Sequence, residues 1–282
     1  MKKVKKHNRN FLQSLIKDLN KGILRIYWWF YTLLKYKFFT FKFNLTNGET
    51  KDYGISILIP TKNRSLKFRR MLETLITNKS SEYKIEVLIL FDENEKEQSS
   101  YIETINKYQN NINIIYFNKN FAKNSERINY LASKSQFEIL LLINDDLKFC
   151  LNDWNKIICA EFSKTDMNKP FSLWLGTDDI KYQYFHSNFP VINKSWFNKL
   201  GYHSPSKYFQ HWWSDNWICD LGKKSGKFLI SNKIFFTHFN RFKKDQLDSL
   251  YIENENKRDG EKDYNNWIKL NDIRKIDAKK LI

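Results

Sequence analysis

A chain of 282 residues with 41% hydrophobic and 17% aromatic side chains is long and apolar enough for a real core, in one large domain or two small ones. Its three cysteines, Cys150, Cys159 and Cys219, are odd in number and lack metal-binding spacing, which speaks against a disulfide framework and for a reducing compartment. The net charge of +17 is uneven: residues 1–50 hold 11 Lys and Arg against Asp18 and Glu49, a local +9 that suits an anionic surface, membrane or nucleic acid.

In that basic arm, Phe11, Leu12, Leu15, Ile16, Leu19, Ile23 and Ile26 recur at helical spacing. The run from Ile26 to Leu34 is nearly all apolar, centres on Trp28 and Trp29, and is bracketed by Arg25, Lys35 and Lys37. It falls short of the ~20 residues of a membrane span, and no small-residue cleavage site follows it. Residues 1–52 therefore read as an amphipathic arm lying on an anionic membrane, at the inner face and in the cytoplasm. A helix packed on the protein's own core or on a second subunit is the alternative.

From residue 53 the pattern changes. ISILI (55–59), IEVLILF (85–91), INIIYF (112–117) and EILLLI (138–143) read as strands, with helices between them at 66–78 and 121–135. Such alternation predicts an α/β fold with a mostly parallel central sheet covered by helices on both faces, and buried parallel strands explain the unbroken apolar runs. Downstream, 171–176 reads as a strand, 195–201 as a short helix capped by Gly201, 212–226 as a helix stopped at Gly226, and 227–239 as a strand ending near His238. Residues 241–282 read as a charged tail. The expected division is thus an arm (1–52), a catalytic domain (53–240) and a tail (241–282).

Ligands of open α/β sheets sit beyond the carboxyl ends of the strands. Here those ends are polar: PTKNR after the first strand, FDEN after the second and NDDL after the fourth. Two adjacent carboxylates, Asp145 and Asp146, repel unless a positive group joins them, and a divalent cation, Mn2+ or Mg2+, does so economically. A helix cap near Asn152 and Asp153 is the plainer alternative. Thr61, Asn63 and Arg64 offer hydroxyl, amide and guanidinium groups; Asp92 offers an acceptor for a base; Lys123, Arg127 and Asn129 are placed to face phosphate. Together they describe a nucleotide diphosphate site closed by a metal.

With these motifs the sequence resembles the family 2 nucleotide-sugar glycosyltransferases of the GT-A, Rossmann-like fold. The resemblance runs over about residues 54–240, through IPTKNR (Pro60, Thr61, Asn63, Arg64), LFDEN (Asp92), NDD (Asn144, Asp145, Asp146), SDNWICDLGKKSG (Asp215) and the strand-end His238. It implies an inverting transfer of a sugar from a nucleotide diphosphate, a UDP-sugar, to an acceptor hydroxyl. It also implies metal ligation by Asp146 and His238, a ribose contact for Asp145, base recognition by Asp92, and Asp215 as general base. Asn144 and Ser214 depart from the family's acidic residues at those positions. Trp212 and Trp213 stack on a sugar or belong to the core, and Asp178 and Asp179 touch donor or acceptor or simply sit in a solvated loop. His211 and Asp220 read as bystanders, and His238 has a purely structural reading as well.

The expected partners are a nucleotide-sugar donor, a glycan or lipid-linked acceptor of surface glycan synthesis, and the anionic membrane, with no nucleic acid. A sugar nucleotidyltransferase is disfavoured because PTKNR lacks the glycines that cradle a triphosphate. A basic membrane- or nucleic-acid-binding module leaves the three strand tips unexplained. A degenerate transferase that binds donor without turnover is kept open by Asn144 and Ser214.

Overall fold

The computed structural model describes residues 53–178, 186–209, 213–239 and 260–282. The arm expected at 1–52 lies outside the described residues, as do Asp179, His211 and Trp212.

The chain alternates strand and helix through its first half: β1 (Ile55–Pro60), α1 (Ser65–Thr77), β2 (Ile85–Phe91), α2 (Gln98–Tyr108), β3 (Asn113–Asn118), α3 (Asn124–Lys134) and β4 (Ile139–Leu142). The second half adds β5 (Leu147–Phe149), α4 (Trp154–Ser163), β6 (Ser172–Thr177), β7 (Pro190–Asn193), α5 (Lys194–Leu200), α6 (Ser214–Ser225) and β8 (Phe228–His238). Two more helices follow, α7 (Gly260–Lys269) and α8 (Asn271–Lys280). Eight strands form one sheet in the order β3-β2-β1-β4-β7-β6-β8-β5. Neighbours from β3 to β4 are parallel, as are β6 and β8, while β7 runs against β4 and β6 and β5 runs against β8.

Burial on both faces makes the central strands apolar throughout: every residue of β2 is buried. Glu86, its one charged residue, is tolerated there because the Ser56 hydroxyl and the Gln136 N–H both donate to its carboxylate. Helix α3 lies against β1 and β2, and α6 against β6, β7 and β8. The stops of α5 and α6 fall at Gly201 (φ 76°) and Gly226 (φ 73°), left-handed positions that glycine occupies without steric cost.

Of the segment read as a charged tail, the structure describes residues 260–282. Residues 260–280 form α7 and α8, and α8 packs on α6. Ala278 and Leu281 enter the core, and buried Arg274 donates from Nε to Asp220 Oδ2 at 2.6 Å while lying 3.7 Å over the Trp267 ring. The segment looks polar because much of what it buries is charged and paired rather than apolar.

Candidate active site

Register, not sequence proximity, assembles the strand tips. Pro60 pairs with Leu90 and Leu58 with Leu142 in parallel ladders, so PTKNR, FDEN and NDDL leave the same edge of the sheet at the same height. The turn after β1 reverses sharply at Asn63 (φ 50°), whose N–H donates to the Glu95 carboxylate at 3.1 Å.

After β4 the chain turns at Asp145 and Asp146. Asn144 is exposed, whereas Asp145 and Asp146 are only 3% and 1% exposed. Asp145 turns inward: Oδ2 accepts from Thr61 Oγ1 at 2.7 Å and Oδ1 from Arg64 Nη1 at 3.0 Å. The Tyr101 hydroxyl completes the cluster, 2.9 Å from Thr61 Oγ1, and accepts from the Arg64 backbone N–H at 2.8 Å. Burial, only partly countered by Arg64, pushes the Asp145 carboxyl up to about 6. Both oxygens of Asp145, expected to meet the ribose, are engaged in fixing the turn after β1. Asn144 is the member of the triplet that reaches solvent.

Asp146 meets His238 because of β5. This three-residue strand starts directly after Asp146 and pairs antiparallel with the end of β8, setting Leu147 opposite His238. The Phe239 N–H then donates to the Asp146 carbonyl at 2.9 Å, and His238 Nε2 stands 3.5 Å from Asp146 Oδ1. Arg64 Nη1 lies 3.8 Å from Asp146 Oδ2. Asp178 accepts from the His238 backbone N–H at 3.1 Å, and the Phe189 ring packs edge-on against the imidazole. Arg70, absent from the sequence expectations, packs its guanidinium 4.0 Å over the Phe239 ring. Burial lowers its pKa, and the nearby Asp146 counters part of that. No local signal in the sequence marks it, because helical spacing sets Arg70 nearly opposite Phe68, Leu72 and Leu75, the buried side of α1.

The remaining cations are committed to protein groups. Arg127 Nη2 donates to Asp92 Oδ1, and Lys62 Nζ lies 3.5 Å from Asp92 Oδ2. Lys123 Nζ donates to the Ser206 carbonyl at 2.8 Å. Asn129 donates to the Ser204 carbonyl at 2.8 Å and accepts from the His203 and Ser204 N–H groups. Of the three residues expected to face phosphate, Lys123 and Asn129 hold the loop at 203–206, and Arg127 belongs to the rim around Asp92.

Asp215 stands in the first turn of α6 with about a third of its side chain exposed. Its Oδ1 accepts from the Asn216 N–H at 2.9 Å, and its Oδ2 lies 2.9 Å from His186 Nε2, a partner with no local signature in the sequence. Trp213, at φ 73°, stacks on Trp267 of α7 with ring centroids 5.3 Å apart, so it serves packing. Asp220 pairs with Arg274 and Lys224 on the far side of the helix turn.

A largely parallel sheet with an Asn-Asp-Asp triplet after its fourth strand, a histidine brought to that triplet from the end of β8 and a carboxylate on α6 defines a glycosyltransferase of the GT-A type. The sequence matches Glycosyl transferase family 2 over residues 56–222, more than half of the chain, and the protein belongs to that family. A comparison with curated proteins by sequence gives no significant match. Among solved structures, S. aureus TarS 1-349 is similar with a TM-score of 0.51 and 14% identity, over 66% of this chain and 60% of that one. The same protein in complex with UDP-GlcNAc gives 0.50 and 14%, over 65% and 58%. The mannosyltransferase PcManGT from Pyrobaculum calidifontis, in complex with GDP-Man and Mn2+, gives 0.52 and 11%, over 73% and 64%. This chain spans less than two thirds of each of these structures, and the likeness is one of fold.

Proposed function

We propose that this family 2 enzyme is a metal-dependent, inverting glycosyltransferase that moves a sugar from a nucleotide diphosphate donor, a UDP-sugar, to an acceptor hydroxyl. The observation that carries the reading is the meeting of Asp146 and His238, 92 residues apart in the chain, at 3.5 Å. An oxygen and an imidazole nitrogen at that separation suit two neighbouring ligands of one cation, and Mn2+ accepts both donor types. Among the described residues no third His, Cys, Asp or Glu joins them, which leaves positions for phosphate oxygens and water. The buried Arg70 Nε and Nη2 and His238 Nδ1 have no hydrogen-bond partner among the described residues, and a bound diphosphate gives such groups a purpose. When bound, a divalent cation supplies the positive charge that a leaving diphosphate requires.

The chain's own residues supply the rest. The rim of Asp92, Arg127 and Lys62 receives the base, and exposed Asn144 faces the donor beside Asp146. Inversion calls for a single in-line displacement with a base opposite the leaving group, and Asp215 takes the acceptor proton on its carboxylate. TarS and PcManGT, solved with UDP-GlcNAc and GDP-Man, support a nucleotide-sugar donor. The +9 charge of residues 1–50 supports an acceptor at an anionic cytoplasmic membrane surface, a glycan or lipid-linked precursor of surface glycan. No helix among the described residues is long and apolar enough to cross a membrane. Removal of residues 1–50 is expected to abolish sedimentation with anionic liposomes.

The test is nucleotide diphosphate release from a panel of UDP- and GDP-sugars, with Mn2+ or with chelator. Release that chelator abolishes is expected. Donor binding without any release would instead favour a degenerate transferase, and no binding under either condition would contradict the proposal.

A further inference from the structure

The partner of Asp215 is built rather than incidental. His186 lies in the connection from β6 to β7, four residues before Pro190, and its side chain is 18% exposed. The Ser187 N–H donates to Cys219 Sγ at 3.4 Å, and the Ser187 hydroxyl donates to the Leu175 carbonyl at 3.1 Å, which ties the backbone beside His186 to α6 and to β6. Asp215 and Cys219 are four residues apart on α6 and share one face of it. Three residues after His186, the Phe189 ring packs on His238. One short segment thus touches both the carboxylate on α6 and the histidine at the end of β8.

With Oδ1 accepting from Asn216 N–H and Oδ2 facing His186 Nε2, the Asp215 carboxylate is held in one orientation. We propose that His186 is a positioning residue for Asp215, fixing the rotamer in which the carboxylate meets the acceptor hydroxyl. The inference rests on the assignment of Asp215 as the base. In the step it supports, the acceptor O–H proton passes to Asp215 as the acceptor oxygen bonds to the anomeric carbon. The bond from that carbon to the diphosphate oxygen breaks, and its electron pair leaves with the nucleotide. His186 neither gains nor loses a proton. Burial alone would lower the His186 pKa, but Asp215 and then Cys219 outweigh it and bring it up to about 10. Asp215 and Cys219, both on α6, are the titratable groups facing it among the described residues.

The experiment uses the full chain, the UDP- and GDP-sugar panel and nitrogen NMR of the histidine side chains. His186→Ala is expected to lower turnover about 100-fold with the donor KM within about 2-fold, a loss in rate rather than in binding. His186→Gln, whose amide N–H reaches for the same oxygen, is expected to recover about 10-fold of that loss, which a mere fold defect would not allow. Independently of turnover, Asp215→Asn is expected to lower the His186 titration by about 1 unit or more. An unchanged His186 titration overturns the pairing. Turnover of His186→Ala within about 2-fold of wild type, with Asp215→Asn inactive, overturns the positioning role alone. Wild-type turnover in Asp215→Asn removes the base assignment and the positioning role together.

Discussion

Arg64 Nη1 donates to Asp145 Oδ1 at 3.0 Å, so the turn after β1 is fastened to the tip of β4 by a charge pair whose side chains are 9% and 4% exposed. The same guanidinium nitrogen lies 3.8 Å from Asp146. Two adjacent carboxylates are thus tolerated at the end of a buried strand because Arg64 stands near both, and Asp146 meets His238 as well.

Breaking that pair from one side strands a buried charge. Arg64→Leu is expected to destabilise the fold by about 3–5 kcal/mol, and Arg64→Leu with Asp145→Asn by less than the sum of the two single changes. Urea unfolding of the three variants measures this. Additive losses would show that the two groups do not interact.

Asn129 makes three hydrogen bonds to the 203–204 backbone. At about 1 kcal/mol each, Asn129→Ala is expected to cost about 3 kcal/mol of stability. Donor KM is expected to stay within about 2-fold, because no binding group is removed. A large rise in KM at unchanged stability would favour a phosphate contact for Asn129 instead.

His203 is fully buried, and burial pushes its pKa down to about 4. The unfolded chain therefore takes up this proton first as pH falls. The residue's contribution to stability is complete above about 6.5 and is lost progressively toward pH 4, by about 3 kcal/mol in all. Across that window wild type is expected to lose more stability than His203→Gln in urea titrations. Parallel pH profiles for the two would contradict the burial of a neutral imidazole.

Much of this architecture was legible because it is written in local pattern. The unbroken apolar runs of β1, β2 and β4 announce strands buried on both faces, and Gly201 and Gly226 announce helix ends. The elements that escaped notice are short or weakly periodic. β5 has three residues, β7 has four, and α2 buries only Tyr101, Thr104 and Ile105. At the site, the identity of the strand tips could be read, but their partners could not. Asp92 finds Arg127, Asp145 finds Arg64, and Asp215 finds His186 through strand order and register, which no local window contains. β5 shows the cost most clearly, since this inconspicuous strand is what delivers His238 to Asp146.

In the proposed mechanism Asp146 and His238 hold a cation that binds a nucleotide diphosphate. This role is tested most directly by titrating UDP, and GDP in parallel, into wild type, Asp146→Asn and His238→Ala by calorimetry, with Mn2+ and with chelator. One of the two nucleotides is expected to bind wild type at least about 10-fold tighter with Mn2+, and both substitutions are expected to erase this difference. Equal affinity with Mn2+ and with chelator in all three proteins would contradict that role.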